Sequence, residues 1–136
     1  FVASRVKPSL AIAVDVTYTS DYPGVDTAAT GDVRVGGGPV LVNNPSCHRK
    51  LQRLLRQAAE KQGIAVQTEA ATGRTGTDGD VIHKTGEGVP FSLVSIPLRY
   101  MHSPAEVGSL ADIQGCIDLL AQFLADLDPS LDLTWY

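Results

Sequence analysis

Two residues of this 136-residue chain stand where their chemistry would be exposed at the end of a strand: Asp15 and His102. Asp15 is the single charge in the apolar run of residues 10–16 (Leu-Ala-Ile-Ala-Val-Asp-Val). A bare carboxylate is costly in a core, so it must be paired, hydrogen-bonded, metal-bound or placed at the open end of the strand. His102 belongs to residues 90–107, which begin apolar, break at Pro97, and deliver the histidine into a loop closed by Pro104. A histidine just past a strand sits where open α/β sheets take their ligands. If residues 10–16 and 91–96 are parallel neighbours, Asp15 and His102 emerge at one edge. Imidazole and carboxylate are usual zinc ligands at about 2.0–2.2 Å, but catalytic zinc normally draws three ligands from the protein. On spacing alone a metal role, a hydrogen-bonded pair and two unrelated surface groups all stay open.

Other groups carry weaker chemistry. Asp78, Asp80 and His83 are spaced as a metal could use them, yet the Gly- and Asp-rich residues 73–80 do not form an EF-hand loop, and turn and cap roles are expected. Asp15, Asp78 and Glu106 are carboxylates for glycoside hydrolysis, although nothing in their spacing selects two of them. Gly36-Gly37-Gly38-Pro39 lacks the lysine and the strand-to-helix setting of a phosphate-binding loop and reads as a turn. Arg49, Arg53 and Arg56 share one helix face, expected to be solvated, and His48 is expected at the surface. Cys47 and Cys116 make neither a disulfide framework nor a zinc-finger pattern; both fall in expected helices and read as small packed residues in a reducing compartment.

The elements that must position these groups alternate. Residues 10–16 form a near-continuous apolar strand, as expected where both faces are covered. A loop spans residues 17–26, and residues 32–42 read as two short strands or a hairpin around the triple glycine. Asn44-Pro45 signals a helix start, Leu51, Leu54, Leu55, Ala58 and Ala59 have helical spacing, and Gly63 is the stop. Residues 64–71 are a strand, residues 73–80 lead into a short helix with His83, and residues 91–96 are a strand. Ser109 to Asp112 resembles a capping box with Asp for Glu. It opens a helix with Ile113, Cys116, Ile117, Leu120, Phe123, Leu124 and Leu127 on its apolar stripe, stopped at Asp128-Pro129 before a tail ending in Trp135-Tyr136. The pattern predicts one α/β domain with a mixed, largely parallel sheet flanked by helices. The net charge of −4 gives no basic footprint for nucleic acid, and neither a membrane span nor a signal peptide is visible.

Six segments add to this in one order and spacing: 13–17 (Ala-Val-Asp-Val-Thr), 21–25 (Asp-Tyr-Pro-Gly-Val), 36–40 (Gly-Gly-Gly-Pro-Val), 73–78 (Gly-Arg-Thr-Gly-Thr-Asp), 88–90 (Gly-Val-Pro) and 96–107 (Ile-Pro-Leu-Arg-Tyr-Met-His-Ser-Pro-Ala-Glu-Val). Together they resemble the C-terminal part of the dinuclear metallo-aminopeptidases of the glutamyl aminopeptidase and tetrahedral aminopeptidase family, some of which carry endoglucanase or deblocking-aminopeptidase labels. The resemblance implies a zinc-exopeptidase-like catalytic domain that removes N-terminal residues from peptides with a metal-bridged water. It implies that Asp15 ligates one of two divalent ions (zinc or cobalt) and His102 the other. Thr77, Asp78 and Arg99 take substrate-facing or supporting places. A cytoplasmic homo-oligomer is expected.

The chain departs from the family in what it lacks. The other ligands are a histidine, a bridging aspartate and a Glu-Glu pair that includes the general base, all upstream of the strand at residue 10; this sequence contains no Glu-Glu pair. Residues 1–136 are therefore expected to be the C-terminal portion of an incomplete catalytic domain, without the inserted β domain and without a catalytic base. The start at Phe1, with Met101 as the sole methionine, agrees with a trimmed or partial chain. Isolated, it is expected to be inactive and to expose sheet edges that favour self-association. The alternatives are a non-catalytic α/β interaction module that keeps the fold, and an endoglucanase.

Overall fold

The computed structural model describes residues 1–134; the tail end at Trp135-Tyr136 lies outside them. Four strands form one sheet: β1 (Ala11–Tyr18), β2 (Val40–Asn43), β3 (Gln67–Ala70) and β4 (Phe91–Leu98), in the spatial order β1-β4-β2-β3. β1 and β4 are parallel, as are β2 and β3, while β2 meets β4 antiparallel. The sheet is therefore mixed and largely parallel.

Two helices cover one face. α3 (Arg49–Gln62) crosses from β2 to β3, and α5 (Leu110–Ala125) follows β4. Leu51, Leu55, Ala58 and Ala59 of α3 meet Cys116, Leu119 and Phe123 of α5 over Leu41 and Val94. Every one of these is an apolar side chain removed from water, worth about 1.5–3 kcal/mol for each of the larger ones. On the opposite face Val42, Cys47, Phe91 and Leu93 form a smaller cluster with Ala13 and Ala71. Short helix α4 (Gly79–Ile82) lies on that side: a methyl added to Gly79 would fall 1.9 Å from the Phe91 ring, and His83 stacks on the same ring at 6.2 Å. Two further short helices, α1 (Val2–Val6) and α2 (Thr27–Thr30), flank β1 in sequence.

Several expectations need correction. Residues 10–16 were read as a strand covered on both faces; β1 runs on to Tyr18 and lies at the rim of the sheet, with Val14 and Tyr18 half-exposed. Asp15 is consequently in mid-strand rather than near its end. Val33 and Val35 are in no strand: Val33 is buried against Ser20, whose amide donates to the Val33 carbonyl at 2.7 Å. Asn44-Pro45 does not start the helix. Asn44 Oδ1 instead accepts the Ser46 amide at 2.8 Å, a local turn, and α3 begins four residues on, after His48. That leaves Cys47 outside any helix, and His48, expected at the surface, is only 4% exposed, its amide donating to the Phe91 carbonyl. Burial holds the His48 imidazole below its ordinary pKa.

β4 does not stop at Pro97, which pairs with Thr17 of β1. The antiparallel ladder with β2 ends at Ser95, so the missing amide of Pro97 interrupts no β2–β4 bond. The two cysteines are free, buried, and on opposite sides of the sheet, which rules out their pairing in this fold. Burial raises both thiols, Cys116 to about 11, as expected for inert packed residues.

Candidate active-site edge

Parallel pairing of β1 with β4 in the register Asp15↔Ser95 and Tyr18↔Leu98 brings the carboxyl ends of both strands to one edge of the sheet. Beyond β4, Arg99 and Val107 exchange two backbone hydrogen bonds (2.9 and 3.1 Å) and close a loop that carries His102. Within it Tyr100 and His102 are held at φ of 59° and 66°, the left-handed region that a non-glycine residue enters at a cost. The His102 amide donates to Glu106 Oε1 at 2.7 Å, which fixes the unusual backbone. The His102 ring meets Tyr18 of β1, with Nδ1 3.3 Å from Oη and the rings edge to face at 6.0 Å.

Arg99 anchors the base of this loop. Its Nε and Nη2 donate to Asp21 Oδ1 and Oδ2 at 2.9 and 2.6 Å, a bidentate ion pair between the segments that leave β4 and β1. Asp21 also accepts the Val35 amide at 3.2 Å. The Arg99 guanidinium holds the Asp21 carboxyl far below the usual carboxylate range. Tyr22 and Tyr100 pack alongside, ring centroids 5.4 Å apart.

Asp15 is partly buried and, by strand alternation, shares the face of Ala13 and Thr17, opposite α3 and α5. Its Oδ1 accepts the amide of Val16 at 2.8 Å. It lies three residues, roughly 10 Å of strand, before the end of β1, and no hydrogen bond joins it to His102. Among the described residues no three His, Cys, Asp or Glu side chains converge on a point where an ion could sit.

The loop carrying Thr77 and Asp78 lies on Asp15's side of the sheet, because α4 packs against β1 and β4 there. Thr77 Oγ1 accepts the Gly79 amide and shares a hydrogen bond with Thr75 Oγ1 at 2.8 Å; Asp78 precedes α4 without making a side-chain cap. Asp80 is the loop's anchor. It is buried and accepts the Thr75 amide and hydroxyl and the Gly76 amide at 2.9–3.0 Å, bonds that together lower its pKa against the opposing effect of burial. His83 Nδ1 donates to the Gly79 carbonyl at 2.7 Å. Asp80 and His83 are therefore engaged in turn and packing roles.

The sequence did not single out Tyr18 or the Asp21–Arg99 pair, nor Glu106 as the clamp on His102. The only local signal was the four-residue offset of Glu106 from His102. Asp21 reads as an ordinary turn residue until the fold brings it to a residue 78 positions away.

The sheet is mixed and largely parallel, with the His102 loop leaving it at the carboxyl ends of the adjacent parallel strands β1 and β4. The sequence matches the M42 glutamyl aminopeptidase family over residues 1–119, and the chain belongs to that family. A protein of Acetivibrio thermocellus is 40% identical over 123 residues, covering 88% of this chain and 36% of its own length. The crystal structure of a TET aminopeptidase from Thaumarchaeota archaeon SCGC AB-539-E09 superposes with a TM-score of 0.86 at 29% identity, covering 94% of this chain and 36% of that one. TET1 peptidase of Pyrococcus horikoshii, described as assembling into a tetrahedron or a large octahedral shell, has a TM-score of 0.62 at 28% identity, covering 92% and 37%. The chain thus spans about a third of the length of the relatives it matches.

Proposed function

We propose that these 136 residues supply one part of the active site of a metal-dependent aminopeptidase that removes N-terminal residues from peptides. Asp15 and His102 are each assigned as a ligand in a pair of divalent ions, zinc or cobalt. The observation that carries this reading is the parallel register of β1 and β4, which sets the strand bearing Asp15 beside the strand that leads into the strained, clamped His102 loop. The donor set fits such ions: Asp15 is a partly buried carboxylate and the one charged residue of β1, and Tyr18 at His102 Nδ1 leaves Nε2 as the imidazole's open nitrogen. When bound, divalent ions polarise a peptide carbonyl and lower the pKa of water.

The chain's own residues position that chemistry. Glu106 sets the His102 backbone, Tyr18 steadies the ring, and the Arg99–Asp21 pair locks the loop to the segment after β1. Arg99 is thereby a supporting residue, its guanidinium being engaged with Asp21 rather than offered to substrate. Thr77 and Asp78 face the same side as Asp15 and take a substrate-facing or supporting place. We assign the general base and the remaining ligands to polypeptide upstream of these residues. We further infer that the complete protein is a homo-oligomer, on the precedent of the Pyrococcus horikoshii neighbour, and that it works in the cytoplasm, as the family resemblance implies.

The test compares the chain alone with the chain mixed with the separately produced N-terminal two thirds of the Acetivibrio thermocellus relative, both in zinc or cobalt with an aminoacyl-anilide. Only the mixture should turn over, and Asp15→Ala or His102→Ala should each reduce its rate at least 10²-fold. Turnover by the isolated chain, or an active mixture that ignores both substitutions, overturns the assignment. A mixture that assembles without taking up metal points instead to the non-catalytic interaction module.

A further inference from the structure

A cleft of about 1080 Å³ opens on the side of the sheet farthest from β1, between the outer face of α3 and the end of β3. β2 and β3 run antiparallel to β4, so β3 ends where β4 begins, away from the His102 loop. α3 buries Leu51, Leu55, Ala58 and Ala59, which turns Arg49, Arg53 and Arg56 outward on one face. That stripe is more than a solvated surface, because it forms one wall of the cleft, with Lys50 beside it. Four of the chain's 11 Lys and Arg residues therefore line this one place, and among the described residues no Asp or Glu does, in a chain whose net charge is −4. No ion pair among the described residues neutralises Arg49, Arg53 or Arg56. Arg56 Nη2 donates to Thr68 Oγ1 of β3 at 3.0 Å, which holds the basic face over that strand. The facing wall is open backbone. The Gln67 and Ala71 amides donate inward to the carbonyls of Pro39 and Asn43, so by the alternation of a parallel ladder Thr68, Ala70 and Thr72 turn their backbone groups outward, where no strand lies. A Cβ on Gly31 would stand 3.0 Å from the Thr68 carbonyl oxygen, which closes the edge there; Ala70 and Thr72 remain, and both line the cleft.

We propose that this cleft docks an extended acidic peptide segment of another protein, its backbone bonded to Ala70 and Thr72 and its carboxylates on Arg49, Arg53 and Arg56. Arginine clusters read acidic motifs, and an open strand edge takes an extended chain. The dimensions agree. Alternate side chains of a strand project to one side roughly 6.6 Å apart, while Arg49 and Arg53 are about 6 Å apart along the helix axis and the whole row spans about 10 Å. Guanidinium forks hold carboxylates by two parallel bonds, which fixes the register of the peptide as well as its charge. A nucleic acid strand fits less well, since it has no backbone amide to pair with the carbonyls of Ala70 and Thr72.

The test is fluorescence anisotropy with the labelled peptide Glu-Val-Glu-Val-Glu-Val, blocked at both ends and kept in EDTA, so that neither aminopeptidase chemistry nor metal enters. The chain should bind it at least tenfold more tightly than Gln-Val-Gln-Val-Gln-Val. Arg49→Glu and Arg53→Glu, both at exposed positions, should each weaken binding at least tenfold. Lys84→Glu, exposed at the end of α4 and outside the cleft, makes the same change in net charge and should not. Amide exchange at Ala70 and Thr72 should slow at least tenfold on binding; circular dichroism checks that every variant folds. Equal binding of the glutamine peptide, arginine variants that bind like the parent, or protection confined to residues 11–18 of β1 overturns the proposal. An oligothymidylate of equal charge that displaces the peptide at a tenfold lower concentration overturns it in favour of nucleic acid.

Discussion

Asp21 shows how far a residue's role depends on what the fold sets opposite it. Its carboxylate is nearly buried and is held in the ionised form chiefly by Arg99, which ties the His102 loop to the segment after β1. In the unfolded chain an aspartate titrates near 3.9, whereas in the folded chain Asp21 stays ionised to well below that. Its contribution to stability is therefore complete above about pH 4 and is lost as the pH falls from there through the folded-state value. Asp21→Asn should flatten the acid limb of a stability–pH curve and cost about 1–3 kcal/mol at neutral pH, read from urea midpoints. Arg99→Met should cost a similar amount and speed amide exchange in residues 100–106. If neither variant disturbs that loop, the pair does not anchor it.

At the scale of elements, Asp112 joins α5 to the turn before β2. Ser109 Oγ caps α5 by accepting the Ala111 amide, but Asp112 does not close a capping box. It is buried, and its two oxygens accept the amides of Gly36 and Gly38 at 2.7 and 2.8 Å. The triple glycine is thus a turn whose amides do bind a carboxylate, one supplied by the chain itself. Gly38 must be glycine: φ is +92° and a methyl would fall 2.0 Å from the Ala65 carbonyl. Asp112→Ala strands two amides in a buried place and should cost about 2–4 kcal/mol, whereas Asp112→Asn, which keeps one acceptor, should cost less. Equal thermal midpoints for Asp112→Ala and the parent would refute this. The strand at Phe91 and both long helices were legible from period and composition, since their apolar residues repeat with the spacing of the faces they bury. The helix start at Asn44 and the capping box at Asp112 misled because both residues spend their side chains on distant or non-helical partners: Asn44 Nδ2 donates to the carbonyls of Ala71 and Gly73.

For the whole molecule, the consequence of the rim is measurable without any partner. Leu110, Ile117, Leu124 and Val14 leave an apolar patch on the isolated chain, which should bind the dye ANS while the near-ultraviolet dichroism stays native; Val14→Glu with Ile117→Glu should reduce that fluorescence severalfold. Unchanged fluorescence would place the exposed surface elsewhere. No helix among the described residues is long and apolar enough to cross a membrane. The sequence by itself determined the alternation of strands and helices and the family, because these depend on local periodicity and on motifs contiguous in the chain. Only the tertiary structure decided that β1 lies at an open rim, that Tyr18, Glu106 and the Asp21–Arg99 pair support the His102 loop, and that Asp112 is spent on a glycine turn. Those facts arise from contacts between residues distant in sequence, and no local pattern encodes which strand is left without a neighbour.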